Sequence, residues 1–181
     1  MVLRLFRRDP RPALIETLYQ RIAAASRHPV LYLRLGVPDT VEGRFEALAL
    51  HAALVLRRLR ELPPPADEVA QEVVDRLFRH LEEALRELGV GDLAVPKRMK
   101  TLAGAFYGRL QAYDAGLAGA EADALAIMLG RNVAGTSEPA HALAEHVRAS
   151  AAALSGLDLD TLLTAGPRFA MPDGADEEAR P

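Results

Sequence analysis

No cysteine occurs in the 181 residues, so disulfides, thiolate metal sites and cysteine nucleophiles are all excluded. Tryptophan is absent as well. Aromatics make up 5% of a chain that is 50% hydrophobic, which leaves leucine and alanine to fill any core. Both are strong helix formers, and the β-branched and aromatic runs that mark strands are scarce. Lysine is nearly missing: Lys97 and Lys100, one helical turn apart, stand alone while arginine carries the remaining positive charge. A net charge of −3 and a pI near 6.0 argue against a general nucleic-acid binder. No apolar run approaches the roughly 20 residues of a transmembrane helix. The longest candidate, Ala47–Leu56, is interrupted by His51. Met1–Arg8 has basic residues without the apolar region and cleavage site of a secretory signal, which predicts a cytoplasmic protein.

What is present reads as an all-α, single-domain irregular bundle of about six to seven helices around a central apolar one. Leu14, Leu18 and Ile22 repeat at helical spacing and place the first helix over Pro12–Ser26. Val30–Leu35 is one helical turn or an extended connection. Asp39 is positioned to cap the longest helix, with Glu42 three residues on. There Phe45, Leu48, Ala52, Val55 and Leu59 alternate steps of three and four, and Leu50, Leu54 and Leu56 cover much of the opposite face. A helix apolar nearly all round belongs at the centre. Asp67–Leu88 is amphipathic, with a buried stripe expected from Val69 through Val73, Leu77, Leu81 and Leu85 to Leu88. Its i,i+4 pairs are Glu72–Arg76, Asp75–Arg79 and Glu82–Arg86. Gly89 is the expected C-cap. The next helix runs from near Pro96 to Leu117 with Met99, Leu102, Phe106, Leu110, Tyr113 and Leu117 inward. Shorter helices follow over Glu121–Leu129 and Ser137–Leu154, with a last turn or two over Asp158–Thr164. The helical domain is expected over 11–168, between a basic N-terminal arm (1–10) and an acidic, disordered tail (169–181).

The parts of a catalytic site are missing. The histidines (His28, His51, His80, His141 and His146) do not form a zinc-hydrolase pattern, and no metal site is expected. His141 and His146 share a helix on poorly matched faces. None of Ser26, Ser137, Ser150 or Ser155 lies in a nucleophile elbow, and no glycine-rich loop follows a strand. His51, alone among apolar neighbours, is either a hydrogen-bonded core histidine or a polar point in an apolar groove. The N-terminal Leu3, Leu5 and Phe6 with Arg4, Arg7 and Arg8 suit weak contact with an anionic membrane surface or simply a frayed terminus.

Three stretches carry a family resemblance. Gly36-Val-Pro-Asp-Thr-Val-Glu-Gly-Arg-Phe-Glu46 runs on into Leu50–Leu59. Leu85-Arg-Glu-Leu-Gly-Val-Gly-Asp-Leu-Ala-Val-Pro-Lys97 continues to Met99-Lys100. Ala105-Phe-Tyr-Gly-Arg109 follows, with Arg131-Asn132-Val133 a weaker echo. In this order and spacing they resemble the ubiquinol–cytochrome c chaperone family over roughly Leu18–Val133. The pattern departs at His80, where an acidic residue is expected.

The resemblance implies a non-enzymatic assembly factor for respiratory complex III, without cofactor, that holds newly made cytochrome b during early maturation. A small partner protein and the ribosome are possible associates in that family. The bacterial form would work at the cytoplasmic face of the inner membrane, with peripheral membrane contact through Leu3, Leu5, Phe6, Arg7 and Arg8. Gly36, Pro38, Gly43, Gly89, Gly91 and Pro96 are expected to set turns and helix ends. Asp39, Arg44, Glu46, His51, Asp92, Lys97, Lys100, Tyr107 and Arg109 are the candidate partner-binding residues, forming a mixed-charge patch beside an apolar one. Arg44 and Arg109 equally suit internal charge-assisted bonds. The competing reading is a helical binding protein for haem or a quinone, with His51 and Tyr107 first in line.

Overall fold

In the computed structural model, which describes residues 10–119 and 121–170, the chain forms α1 (Arg11–Ala25), α2 (Pro29–Leu33), α3 (Val41–Glu61), α4 (Ala66–Glu87), α5 (Val95–Ala118), α6 (Ala122–Leu129), α7 (His141–Ser155) and α8 (Leu159–Thr164). Five residues of π-helix, Gly130–Ala134, extend α6. Among the described residues there is no strand, and the expected all-α bundle is what forms, with the short α2 and α8 at the margin of the count. Nor is any helix among them long and apolar enough to cross a membrane. The basic arm and most of the acidic tail lie outside the described residues.

Thr40, rather than Asp39, caps the central helix. Its Oγ1 accepts from the Gly43 amide at 3.1 Å, while Asp39 is drawn off to the Arg44 guanidinium at 2.7 Å. With its carboxylate held by Arg44, Asp39 leaves the helix end to Thr40. Gly43 has a second role, because a β-carbon there would lie 1.9 Å from the Pro38 carbonyl oxygen. The turn before α3 is thus clasped onto its first turn.

From Ala47 to Leu59, α3 is buried on several sides: Leu50, Ala52, Val55 and Leu59 are almost wholly inaccessible, and so are Ala49 and Leu54 on the other faces. α1 brings Ile15, Leu18 and Ile22 to it, α4 brings Val69, Val73 and Leu77, and α7 brings Leu143, Val147 and Leu154. Burying each large aliphatic side chain stabilises the fold by about 1.5–3 kcal/mol, which makes this core the dominant favourable contribution.

Polar contacts set the register of α1 on α4. Arg11 reaches Glu68 and Glu72, and Glu16 takes both Arg76 (2.9 Å) and His80 (3.1 Å), whose ring stacks on Tyr19. Glu72 and Arg76, expected to pair with each other along α4, therefore both reach across to α1; Glu82–Arg86 remains within the helix at 2.7 Å. The α4 terminus is a Schellman cap: Gly89, at φ +79°, donates to the Arg86 carbonyl and Val90 to that of Leu85. α7 begins at His141 and not at Ser137. Pro139 disfavours helix at the preceding residue, and the Ala140 amide bonds back to the Ala126 carbonyl instead.

Inward-facing Phe106 and Tyr113 join α5 to the core, but Met99, Leu102, Leu110 and Leu117 are only half-buried. The Tyr113 hydroxyl is sealed from solvent and has no hydrogen-bond partner among the described residues. An unsatisfied buried hydroxyl contributes nothing to stability, so Tyr113→Phe is expected to leave the urea midpoint unchanged or raise it slightly. A loss beyond about 1 kcal/mol in equilibrium unfolding would mean that an ordered water satisfies the group.

Candidate functional site

The apolar stripe of α4 continues past the filled core. Val69, Val73 and Leu77 are buried, Leu81 and Leu85 are half-exposed, and Leu88 is 63% exposed. The sequence pattern predicts burial along the whole stripe, but nothing in the described chain covers its last two turns. α3 and α5 behave alike at this end, where Phe45, Leu48 and Leu102 are partly open and Val41 is 62% exposed. Between them lies a groove of about 870 Å³. Leu81, Leu85 and Leu88 form one wall, Leu102 and Ala105 the other, and Phe45 and Leu48 the floor. Small Ala84, Ala94 and Ala105 leave the space unfilled. Two more large apolar side chains crowd this end of the molecule, Leu93 in the α4–α5 loop at 100% exposure and Leu33 on α2 at 71%. Leu33 lines a shallow neighbouring cleft that shares Arg27 and Arg44 with the groove.

Charged groups ring the opening in two kinds. Arg44 and Glu46 each have an ion-pair partner within the chain, Arg44 on the surface and Glu46 half-buried. Arg44 holds Asp39, whose carboxyl is thereby kept below the usual range, and its guanidinium also lies 5.9 Å from the Tyr32 ring centroid. Glu46 takes a two-pronged bond from Arg109, Nε and Nη2 each at 2.8 Å, and this half-buried pair ties α3 to α5 beneath the groove. Arg27, Lys97 and Arg98 differ: among the described residues no carboxylate pairs with them.

The structure thus gathers Arg44, Glu46 and Lys97 at one groove, with Asp39 and Arg109 behind them as their ion-pair partners. It leaves the others elsewhere. Lys100 is exposed on α5 outside the lining, and Asp92 is exposed in the α4–α5 loop. Tyr107 is turned toward the Phe78 ring, 6.2 Å away, and lines no part of the groove. His51 is wholly buried, its Nδ1–H donating to the Ala47 carbonyl at 2.8 Å, which makes it the core histidine of the two readings. The lining offers no histidine, cysteine, methionine or tyrosine as an axial ligand for haem iron. Among the described residues no cluster could hold a metal ion. Arg27, Arg98 and the leucines of the groove are absent from the residues that sequence reasoning singled out. An apolar stripe that ends beside a glycine-rich loop was the available signal for the leucines.

Away from the groove, His51 faces His146 at 5.7 Å between ring centroids, and Phe169 meets His51 edge-on at 4.8 Å. The Ala170 amide donates to Ser150 at 3.0 Å, so the described chain stays packed to its last residue. Among the described residues His51 Nε2 is buried without a partner, and neither ring nitrogen of His146 makes a hydrogen bond of good geometry, the Ala170 backbone being its polar neighbour. Burial pushes the His51 imidazole down to about 4 and lowers that of His146 in the same direction.

Comparison with known proteins gives a consistent picture. The family described as ubiquinol-cytochrome C chaperone matches residues 33–169. The crystal structure of the Cbp3 homolog from Brucella abortus is similar to this chain, at 39% identity and a TM-score of 0.80, over 98% of this chain and 99% of the other. Among curated proteins, none matches significantly.

The histidine pair fixes a pH dependence. The unfolded chain binds protons at ordinary imidazole values near 6.5, which the native state refuses until lower pH. The stabilising effect is therefore complete above about 6.5 and is lost as pH falls toward 4. For His51 the loss is about 2 kcal/mol by pH 5. Urea midpoints at pH 7.5 and 5 should separate less for His51→Leu than for the natural chain; parallel slopes would contradict this assignment.

Proposed function

The chain belongs to the ubiquinol-cytochrome C chaperone family, and from that premise we propose that it is a non-enzymatic assembly chaperone of respiratory complex III that binds newly made cytochrome b in the groove between α3, α4 and α5. The single observation that carries this reading is the uncovered apolar end of the bundle. An ordinary soluble helix hairpin buries its stripe, whereas this one leaves Leu81, Leu85, Leu88 and Leu102 open to a partner. A membrane subunit emerging during synthesis exposes apolar helices in an aqueous setting. A groove with a charged rim can hold such a segment reversibly without itself entering lipid. Action at the cytoplasmic face of the inner membrane follows from the client. The Arg109–Glu46 pair serves here as a strut between two of the groove's helices, and Asp39–Arg44 as a tie that orders its mouth.

The reading is tested by tagging the chain in its own host and identifying what copurifies from gently solubilised membranes. Cytochrome b should be recovered with few subunits of the mature complex. Leu85→Asp puts an unpaired carboxylate on the apolar wall and should lower that recovery about tenfold or more. Ala142→Asp, on the exposed face of α7, should leave it unchanged. Undiminished recovery with Leu85→Asp would rule the groove out as the client site, and recovery of the whole complex would indicate a resident subunit instead.

A further inference from the structure

The dimensions and charge of the groove restrict what can lie in it, on the reading that it is the client site. It runs along α3 from Val41 to Leu48, along α4 from Leu81 to Leu88 and along α5 from Ala94 to Ala105. At 1.5 Å per residue those walls are about 10, 10 and 16 Å long. Two to three turns of a helix cover such a length. A membrane-spanning helix needs about 30 Å and is apolar on every side, so most of it would hang outside. An extended strand fits no better, because helical walls present side chains and no free backbone edge to pair with its amides and carbonyls.

Charge narrows the choice further. Of the charged groups at the rim, Arg44 and Glu46 are already neutralised by Asp39 and Arg109. Arg27, Lys97 and Arg98 then remain against Glu42 alone, an excess of positive charge around the groove, with Lys97 and Arg98 adjacent on α5. α5 also starts here without a side-chain cap, and Ala94 and Lys97 of its first turn line the groove. The partial positive charge of that helix end adds to the lysine and arginine beside it.

We propose that the groove accepts a short amphipathic helix of two to three turns, with apolar anchors at i, i+3, i+4 and i+7 and carboxylates on the flank that meets Lys97 and Arg98. The client segment is then a surface helix of the membrane protein, not one of its spans. Apolar anchors supply the affinity, and the acid–base lip fixes the direction in which the helix lies.

The test uses the full chain and fluorescence anisotropy with three labelled 14-residue peptides. One carries leucines at the anchor spacing and glutamates on the flank; the second has every glutamate replaced by lysine; the third is a scramble of the first. The glutamate peptide should bind at least tenfold more tightly than either of the others. The double variant Lys97→Glu/Arg98→Glu, shown to be folded by circular dichroism, should reverse the preference in favour of the lysine peptide. Equal binding of the two amphipathic peptides, or a preference that survives the charge swap, would overturn the proposal. So would sedimentation of the chain with phosphatidylglycerol–phosphatidylcholine vesicles that depends on Lys97 and Arg98 while the peptides fail to bind, since the lip would then serve lipid headgroups. If the peptide preference fails while Leu85→Asp still abolishes cytochrome b recovery, this inference falls and the client reading stands. If the glutamate peptide binds as expected while Leu85→Asp leaves cytochrome b recovery intact, the groove takes acidic helices and the client reading falls.

Discussion

Everything in this fold hangs on the burial of α3 from several sides. A helix whose residues from Ala49 to Leu56 are all inaccessible needs helices around it, and α1, α4, α5 and α7 are held where they are by that requirement. The same constraint explains where the groove is. The apolar residues are enclosed from Ala49 to Leu59, and enclosure fails over the first two turns, where Val41 is exposed and Phe45 and Leu48 are half-buried. The clasp of Gly43 under Pro38 keeps these turns helical and in register even though little covers them.

Charged residues divide the labour at that open end. Arg109 with Glu46 and Arg44 with Asp39 satisfy one another and give the groove a fixed shape. Binding therefore need not order these side chains again, which limits its entropic cost. Arg27, Lys97 and Arg98 have no such partners among the described residues and leave a positive field around the groove. Apolar wall and cations without a carboxylate partner among the described residues together distinguish this surface from the neighbouring flank of α4, where Gln71 bonds to Asp75 at 2.8 Å and Glu82 to Arg86.

The helical architecture was legible because leucine periodicity, prolines at first turns and Gly89 at a helix end are local signals that tertiary packing then respected. Two of the three motif stretches, Gly36–Glu46 and Leu85–Lys97, contribute residues to the groove lining. What could not be read was whether an apolar stripe is covered. Leu77 and Leu85 occupy equivalent positions in the pattern of α4, yet one is sealed and the other open, and only the placement of three other helices decides between them. Cross-helix pairing was equally hidden: Arg76 has an acid one turn away on its own helix but bonds to Glu16 on α1. Arg98 escaped attention between two rarer lysines although it shares the lip with Lys97. His51 and His146, 95 positions apart in sequence, meet only because α7 packs on α3.

The most direct test places a photoreactive amino acid at position 85, on the groove wall, and at position 142, on the far face of α7, and irradiates cells that are making complex III. The account predicts an adduct with cytochrome b from position 85 and none from position 142. Adducts from position 142 alone, or cytochrome b crosslinked from neither position while it still copurifies with the chain, would contradict the assignment of this groove as the client site.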